Sequence, residues 1–225
     1  MAKLIVIEGL DGSGKATQAR LLHERLEGLG EDVRKLAFPD YNNPSSSLVR
    51  MYLDGVFGDK PGDVNAYAAS AFYAVDRYAS YRQFWKSDYD SGKVILADRY
   101  ATSNAIYQLA KIEKSHWDGF LGWLEDFEYQ KLEIPQPDLV IYLDMPPDIS
   151  QKLMSRRYGG DESKKDLHES NRAFLSQCRQ SALYAAKRYG WKIISCAQGG
   201  QPRPIDVIGR DVLTAAQAVL TNLKS

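Results

Sequence analysis

A glycine-rich segment near the N-terminus constrains the fold of this chain more than any other feature. Residues 8–18 read EGLDGSGKATQ, and they follow the apolar run from Leu4 to Ile7. An apolar pattern of helical spacing then begins at Lys15. A strand, a glycine-rich turn, a lysine and a helix in this order predict a phosphate-binding loop, in which backbone N–H groups at a helix N-terminus surround an anion.

One position departs from the usual pattern of such loops. A Ser or Thr normally follows the lysine and ligates Mg²⁺, but this chain has Ala16 there and the hydroxyl at Thr17. The run GKATQ resembles the GKGTQ of adenylate-kinase-type nucleoside monophosphate kinases, which work without that hydroxyl. The resemblance implies that phosphates, water and a distant carboxylate hold Mg²⁺. A loop that has lost its function and chance glycines in an ordinary turn are the alternatives.

The composition limits the class of protein. The chain has 225 residues, of which 29 are basic and 29 acidic, so no overall charge favours nucleic acid or an anionic membrane. Its two cysteines, Cys178 and Cys196, show neither a disulfide framework nor metal-binding spacing. There is no signal-peptide pattern and no stretch long enough to span a bilayer. We therefore expect a cytoplasmic protein that binds neither nucleic acid nor membrane.

Alternating strand and helix patterns predict an α/β fold. Apolar strands are expected near residues 3–8, 33–38, 94–97, 139–144 and 191–195, with helical patterns between them. Such strands are typical of a parallel sheet covered by helices on both faces. One long helix is expected over 64–88, capped by Asp63. Another is expected over 116–132, with an apolar face that serves either the core or a dimer interface.

Polar residues after one strand and along the long helix are candidates for a ligand site. Asp98 follows the third strand, at the sheet edge that should lie beside the phosphate loop, where it can orient Mg²⁺. A structural salt bridge to Arg99 is the alternative. Tyr73 and Arg77 are four residues apart and share a helix face, so we interpret them as a functional pair among aromatic residues of the core.

Five stretches occur in the order typical of thymidylate kinases, and the chain resembles that family over nearly its whole length. They are residues 8–18, 38–41, 73–77, 98–108 and 137–144. The resemblance implies a P-loop kinase fold with a five-stranded sheet in the order 2-3-1-4-5. It implies a single domain over residues 1–225 with a mobile lid around 156–168, a run that is otherwise an ordinary solvated loop. It also implies phosphoryl transfer from ATP to dTMP with Mg²⁺, and a homodimer.

The same resemblance implies roles for individual residues. The ATP-binding set is Gly9, Asp11, Gly12, Ser13, Gly14, Lys15, Ala16 and Thr17. The dTMP-binding set is Asp11, Phe38, Tyr41, Tyr73, Arg77, Arg99, Asn104, Tyr107 and Gln108. The catalytic set is Lys15, Asp98, Arg99, Arg156 and Arg157, with Asp98 as the metal residue.

Within these sets, Arg77 and Arg99 match arginines that clamp the acceptor phosphate, and bidentate guanidinium groups suit that task. Tyr73 stands where the family usually has a phenylalanine that stacks on thymine. Asp11 matches a carboxylate that accepts from the sugar 3′-OH, Asn104 a residue that binds the base, and Tyr107 a ring set against the 2′ position. Because the loop carries Gly12 where some relatives carry a catalytic arginine, we expect Arg156 or Arg157 to supply it. Surface arginines at a helix end are the alternative.

The sequence leaves two other functions open. A kinase of another deoxynucleotide or of a deoxynucleoside shares the phosphate loop, although two arginines for an acceptor phosphate argue against an unphosphorylated nucleoside. A non-catalytic nucleotide-binding relative is supported only by Ala16. The chain lacks the Asn-Lys-x-Asp segment that a GTPase-like switch requires.

Overall fold

The five predicted strands form one parallel sheet in the computed structural model, which describes residues 3–157 and 171–221. Their order is β2-β3-β1-β4-β5, which confirms the order 2-3-1-4-5. A two-stranded antiparallel hairpin, β6 and β7, follows the last strand and was not predicted. The strands are Lys3–Gly9 (β1), Val33–Ala37 (β2), Val94–Asp98 (β3), Leu139–Asp144 (β4), Lys192–Ser195 (β5), Ala197–Gln198 (β6) and Gln201–Pro202 (β7).

Helices connect the strands and cover the sheet. In the part of the chain that the structure describes, no helix is both long and apolar enough to cross a membrane. The α-helices are Lys15–Gly28 (α1), Ser47–Leu53 (α2), Ala66–Ser80 (α3), Lys86–Asp90 (α4), Asn104–Tyr107 (α5), Trp117–Glu125 (α6), Pro147–Arg157 (α7), Arg172–Tyr189 (α8) and Ile205–Thr221 (α9).

The central strand β1 divides the core into two layers because successive side chains of a strand point to opposite faces. Leu4 and Val6 join a cluster that includes residues of α5, α6 and α8. Ile5 and Ile7 join a second cluster that includes residues of α1 and α9. All four side chains are fully buried. Helices therefore lie on both faces of the sheet, as the apolar strand pattern predicts.

Both long predicted helices are interrupted by π-helical turns. Residues Tyr81–Trp85 separate α3 from α4, and Asp126–Lys131 follow α6. The Asp63 cap was wrong: Asn65 accepts the N–H of Ala68 at 2.9 Å and caps α3. A single wider turn changes which residues face inward without changing the apolar composition, so the sequence pattern alone does not reveal it.

The sheet register brings three functional segments to one edge. Ile7 of β1 and Ala37 of β2 both pair with Asp98 of β3. The phosphate loop after β1, the Phe38 loop after β2 and the Arg99 segment after β3 therefore leave the sheet side by side. This is the carboxyl edge, where open α/β sheets bind ligands.

Candidate active site

The phosphate loop has a backbone that requires glycine at two positions. Gly14 precedes α1 with φ +92°, and Gly12 has φ +77°, both in the left-handed region. A Cβ atom at Gly12 would also lie 2.7 Å from the main-chain oxygen of Ser150. The loop is thus shaped by its glycines and packs closely against the first turns of α7.

Lys15 lies buried within this loop. Its Nζ donates to the main-chain oxygen of Leu10 at 2.9 Å and lies 3.7 Å from Oδ1 of Asp11. Burial, together with the neighbouring positive charge of Arg99, lowers the pKa of Lys15 below its usual value. The ammonium group is therefore held over the loop by oxygen atoms that phosphate oxygens can replace. Ala16 is exposed.

A cavity of about 260 Å³ adjoins the loop, and the structure brings all nine residues of the predicted dTMP set to its wall. Asp11 belongs to both the loop and the cavity. Of the four other lining residues, Pro39, Tyr100 and Ser103 lie in stretches that carry the resemblance but were given no role, and Leu53 lies outside them. The lining residues are Asp11, Phe38, Pro39, Tyr41, Leu53, Tyr73, Arg77, Arg99, Tyr100, Ser103, Asn104, Tyr107 and Gln108.

Arg99 marks one end of the cavity, beside the phosphate loop. Its guanidinium forms an ion pair with Asp11, donates to the hydroxyl of Tyr107 at 3.3 Å, and lies 5.3 Å from the centre of that ring. The Tyr107 hydroxyl donates to Oδ2 of Asp11 at 2.8 Å. Burial alone would lower the pKa of Arg99, but the negative charge of Asp11 and other neighbours raises it well above its usual value. This guanidinium is permanently charged and fixed in place.

The backbone of Arg99 is itself unusual. Its φ is +69°, a conformation that costs a side-chain-bearing residue about 1–2 kcal/mol. The Arg99 N–H donates to the main-chain oxygen of Ile7 at 3.0 Å, and the Asp11 pair holds the side chain. Strained residues of this kind concentrate at functional sites.

Arg77 lines the cavity as part of a second group of polar residues and is almost fully buried. Its Nε donates to Oε2 of Glu128 at 3.2 Å, and its NH2 group donates to Oε1 of the same carboxylate. Asn104 donates from Nδ2 to Oε1 of Glu128 at 3.3 Å. Burial lowers the pKa of Arg77, but Glu128 more than compensates and the net shift is upward. Arg77, Asn104 and Glu128 thus form one buried polar cluster.

Aromatic rings line the cavity, and a buried aspartate holds one of the loops that form it. Phe38 packs on Tyr100 with ring centres 5.9 Å apart, and Tyr73 meets the edge of Tyr52 at 6.4 Å. The carboxylate of Asp76, next to Arg77 in the chain, accepts the N–H of Asp40 at 2.8 Å and the hydroxyl of Ser45 at 2.7 Å. Asp76 therefore fixes the loop after β2 to helix α3.

Glu8, in the strand that leads into the phosphate loop, is hydrogen-bonded to a segment that lines the cavity. This fully buried carboxylate in β1 accepts from the hydroxyls of Thr102 at 2.7 Å and Ser103 at 2.8 Å, and from the Tyr100 N–H at 3.2 Å. Burial raises the pKa of Glu8 above its usual value, against the opposing charge of Arg99. The strand that carries the loop is thereby hydrogen-bonded to the segment that carries Asn104 and Tyr107.

Sequence reasoning gave no role to Glu8, Asp76 or Glu128. Glu8 could have been found, because a carboxylate inside an otherwise apolar central strand must be hydrogen-bonded there. Asp76 and Glu128 give no such signal: both lie on helices with other charged residues, where a solvated side chain is the usual interpretation.

The residues present fit a magnesium ion that is held mainly by a nucleotide. Asp98 ends β3 close enough to Lys15 for its charge to oppose, in part, the lowering of the Lys15 pKa, and Arg99 forms its ion pair with Asp11 rather than with Asp98. Within residues 3–157 and 171–221, no cluster of three or more His, Cys, Asp or Glu side chains could hold a metal. Mg²⁺ commonly uses one or two carboxylates together with substrate phosphates, so a single aspartate at this position suits it.

The predicted lid falls mostly outside the described residues. Arg156 and Arg157 are the last two residues of α7, but their side chains lie outside the description, as do residues 158–170. The expectation that one of them is catalytic therefore stays a prediction.

Comparisons with known proteins agree on one family. The family model described as thymidylate kinase matches residues 7–201. A thymidylate kinase from Mycobacterium tuberculosis is 30% identical over 192 residues, covering 84% of this chain and 87% of that protein. A probable thymidylate kinase from Thermococcus onnurineus is 35% identical over 191 residues, covering 82% and 84%. The solved thymidylate kinase structure from Candida albicans aligns with a TM-score of 0.70 and 25% identity, over 98% of this chain and 92% of that one.

The extent of the family match includes the phosphate loop, the cavity and the cluster around Arg77. The sheet order, the loop geometry and these similarities agree, and the chain belongs to the thymidylate kinase family.

Proposed function

We propose that this chain phosphorylates dTMP to dTDP by transferring the γ-phosphoryl group of ATP. It is an ATP-dependent phosphotransferase, as its family membership indicates. One observation carries the choice of site: a cavity lined by the predicted acceptor residues opens beside the phosphate loop, and Asp11 belongs to both. Donor and acceptor can therefore meet at Lys15 and Arg99.

The acceptor phosphate is assigned to the Arg99 end of the cavity. Arg99 shares Asp11 with Lys15, so both cations lie around one carboxylate next to the loop. Arg77 is paired with Glu128, which also accepts from Asn104, so we assign the part of the cavity lined by Arg77 and Asn104 to the base. This assignment differs from the phosphate-clamping role that the resemblance implies for Arg77, and it is supported by the different carboxylate partners of the two arginines, Glu128 for Arg77 and Asp11 for Arg99.

The chemistry needs alignment and charge neutralisation more than acid–base groups. On binding of ATP, Lys15 exchanges the Leu10 oxygen for phosphate oxygens, and its ammonium offsets charge on the outer phosphates. Arg99 holds the acceptor phosphate, and a lid arginine, Arg156 or Arg157, adds positive charge at the transferring group. Mg²⁺, when bound with the nucleotide near Asp98, neutralises phosphate charge in the same place.

The sugar is assigned to the middle of the cavity. Asp11 is a hydrogen-bond acceptor for the 3′-OH, and the Tyr107 ring, fixed by its bond to Asp11, leaves little room for a 2′-OH. Tyr73 and Phe38 supply rings for stacking on the base. This arrangement suits a deoxyribonucleotide whose base has one ring, a pyrimidine.

A homodimer is also proposed, and α3 supports it. Tyr67, Val75 and Tyr78 lie within one stripe of that helix, and they are 44%, 49% and 42% exposed. Exposed large apolar residues that share a helix face favour contact with another protein surface. Sedimentation of the parent chain and of Val75→Arg tests this, and a monomeric parent chain would contradict it.

A coupled ADP-release assay tests the function directly. ATP and Mg²⁺ are supplied with dTMP, dUMP, thymidine, dGMP or dCMP in turn. Turnover with dTMP far above the others is expected. Preference for another acceptor would keep the kinase and discard the base assignment, and no turnover despite ATP binding would favour the non-catalytic alternative that Ala16 suggests.

A further inference from the structure

Three polar side chains at the base end of the cavity are buried together. Glu128 is fully buried, and Arg77 and Asn104 are each 2% exposed. Glu128 comes from the π-helical turn after α6, where the Leu132 N–H donates to the Phe127 oxygen at 3.0 Å. Widened turns of this kind are frequent at functional sites. Glu128 does not line the cavity, so it acts on a ligand only through its two partners.

The orientation of the Asn104 amide follows from its partners. Nδ2 donates to Oε1 of Glu128 at 3.3 Å and lies 3.4 Å from the main-chain oxygen of Ser70. A carboxylate and a carbonyl oxygen can only accept hydrogen bonds, so the flipped amide would set an oxygen against two acceptors. The other polar atom of this cavity-lining side chain is Oδ1, an acceptor.

Arg77 is oriented by the same carboxylate. Glu128 accepts from Nε and NH2, which leaves NH1 outside the pair. Since a guanidinium is planar with donors only, NH1 can offer hydrogen bonds in a direction that the pair fixes.

We propose that Glu128 is a specificity-determining positioning residue, which makes Arg77 present a donor and Asn104 an acceptor to the base. This proposal rests on the proposed function. Thymine and uracil carry the complement, an acceptor at O4 beside the donor N3–H. Cytosine carries the reverse, a donor at N4 beside an acceptor at N3, so Glu128 selects against it. Guanine shares the polarity of thymine at O6 and N1–H, so its exclusion depends on size.

Gln108 adds a buried amide to the same cavity wall. Oε1 of Gln108, another cavity-lining residue, is buried and finds no hydrogen-bond partner among the described residues. Buried acceptors in native proteins are normally paired. A ligand that brings a donor, or a water bridging to it, completes this wall.

Glu128→Gln tests the proposal, because glutamine has the same shape but can both accept and donate. In that variant only the Ser70 oxygen still opposes the flipped Asn104 amide, and Arg77 loses one of its two carboxylate acceptors. We expect kcat/KM for dTMP to fall mainly through KM, and the ratio of kcat/KM for dTMP over dCMP to fall by about 10-fold or more. Asp126→Asn, an exposed carboxylate on the same turn, is the matched control and should leave both values unchanged.

A structural role alone would lower activity with both nucleotides equally and leave the ratio constant, and that result overturns the proposal. If Glu128→Gln does not fold, the ratio of kcat/KM for dTMP over dCMP is compared between Arg77→Gln and the double variant Arg77→Gln/Glu128→Gln. The double variant removes both charges of the pair, so neither is left buried and unpaired. A further drop in the double variant supports the proposal, and an equal ratio overturns it. If the parent enzyme does not turn over dTMP, the proposed function itself fails, which is a different result.

Discussion

The two arginines of the acceptor cavity are both paired with a carboxylate, but the pairs differ in exposure and in origin. Arg99 and Asp11 are 20% and 17% exposed, and both belong to recognisable motifs. Arg77 and Glu128 are 2% and 0% exposed, and Glu128 belongs to none of the motifs found in the sequence. A partly exposed pair can exchange partners with a charged ligand, whereas a fully buried pair is structural as well as functional. The phosphate end is therefore suited to chemistry and the base end to recognition.

The largest effect is expected at the phosphate end. Arg99→Ala should lower kcat/KM for dTMP about 1,000-fold, because it removes positive charge where phosphates meet. Steady-state kinetics measure this, with Arg20→Ala, an exposed arginine paired with Glu24 on α1, as control. A loss below 10-fold would remove Arg99 from the phosphate site.

The order of the two pairs should be reversed for the free energy of unfolding, where the loss of the Arg77 pair should cost more than the loss of the Arg99 pair. Arg77→Met leaves the Glu128 carboxylate buried without its main partner and should cost about 3–5 kcal/mol in the free energy of unfolding. Arg77→Met/Glu128→Met should recover most of this loss, since apolar groups can replace a buried ion pair. Arg99→Met should cost less, because Asp11 keeps Tyr107 and some contact with water. Urea denaturation measures all three, and equal losses for Arg77→Met and Arg99→Met would contradict the comparison.

A third arginine, from the lid, should affect the rate but not recognition. Replacing Arg156 or Arg157 by Ala should lower kcat about 100-fold for the catalytic one of the two, with a modest change in KM. Lys152→Ala, an exposed residue of α7, is the control. An unchanged kcat in both arginine variants would show that the charge comes from elsewhere.

The smallest effect concerns a half-buried lysine whose hydrogen-bond partners are uncharged. Lys111 donates to the Tyr52 hydroxyl at 2.7 Å and to the Val64 oxygen at 3.1 Å, and burial lowers its pKa to about 7. The unfolded chain therefore binds more protons than the folded one between this pKa and the usual value near 10.5. Stability from Lys111 should thus rise with pH from about 7, by at most about 1.4 kcal/mol per pH unit. The difference between the parent chain and Lys111→Met in urea at pH 7, 8 and 9 isolates this contribution, and a constant difference would contradict it.

Much of the fold was predictable because its signals are local. Buried parallel strands are apolar throughout, and the phosphate loop needs glycine at fixed positions such as Gly12, so the strands and the loop follow from local sequence. The sheet order came from the family resemblance that these motifs carry. Most of the predicted acceptor residues meet in one cavity because they lie in the segments that follow β1, β2 and β3, while Tyr73 and Arg77 lie within α3. These are properties of short segments, which a sequence shows directly.

The buried carboxylates were not predictable in the same way. Glu128 is surrounded in sequence by Glu125 and Asp126, and nothing local distinguishes the one that faces inward. Its position depends on a π-helical turn and on a contact with Arg77 across the fold. The assignment of Arg77 to the base rests on that contact, so it could not be made from the sequence alone.

The hydrogen bonds of Glu8 have a consequence for how this site can vary among related chains. A buried carboxylate in β1 is tolerated because Thr102, Ser103 and the Tyr100 N–H supply its hydrogens. Losing either hydroxyl alone leaves a charge partly unsatisfied, and losing the carboxylate alone leaves buried hydroxyls without an acceptor. Positions 8, 102 and 103 should therefore covary, so that the donor loop and the acceptor segment are inherited as a unit.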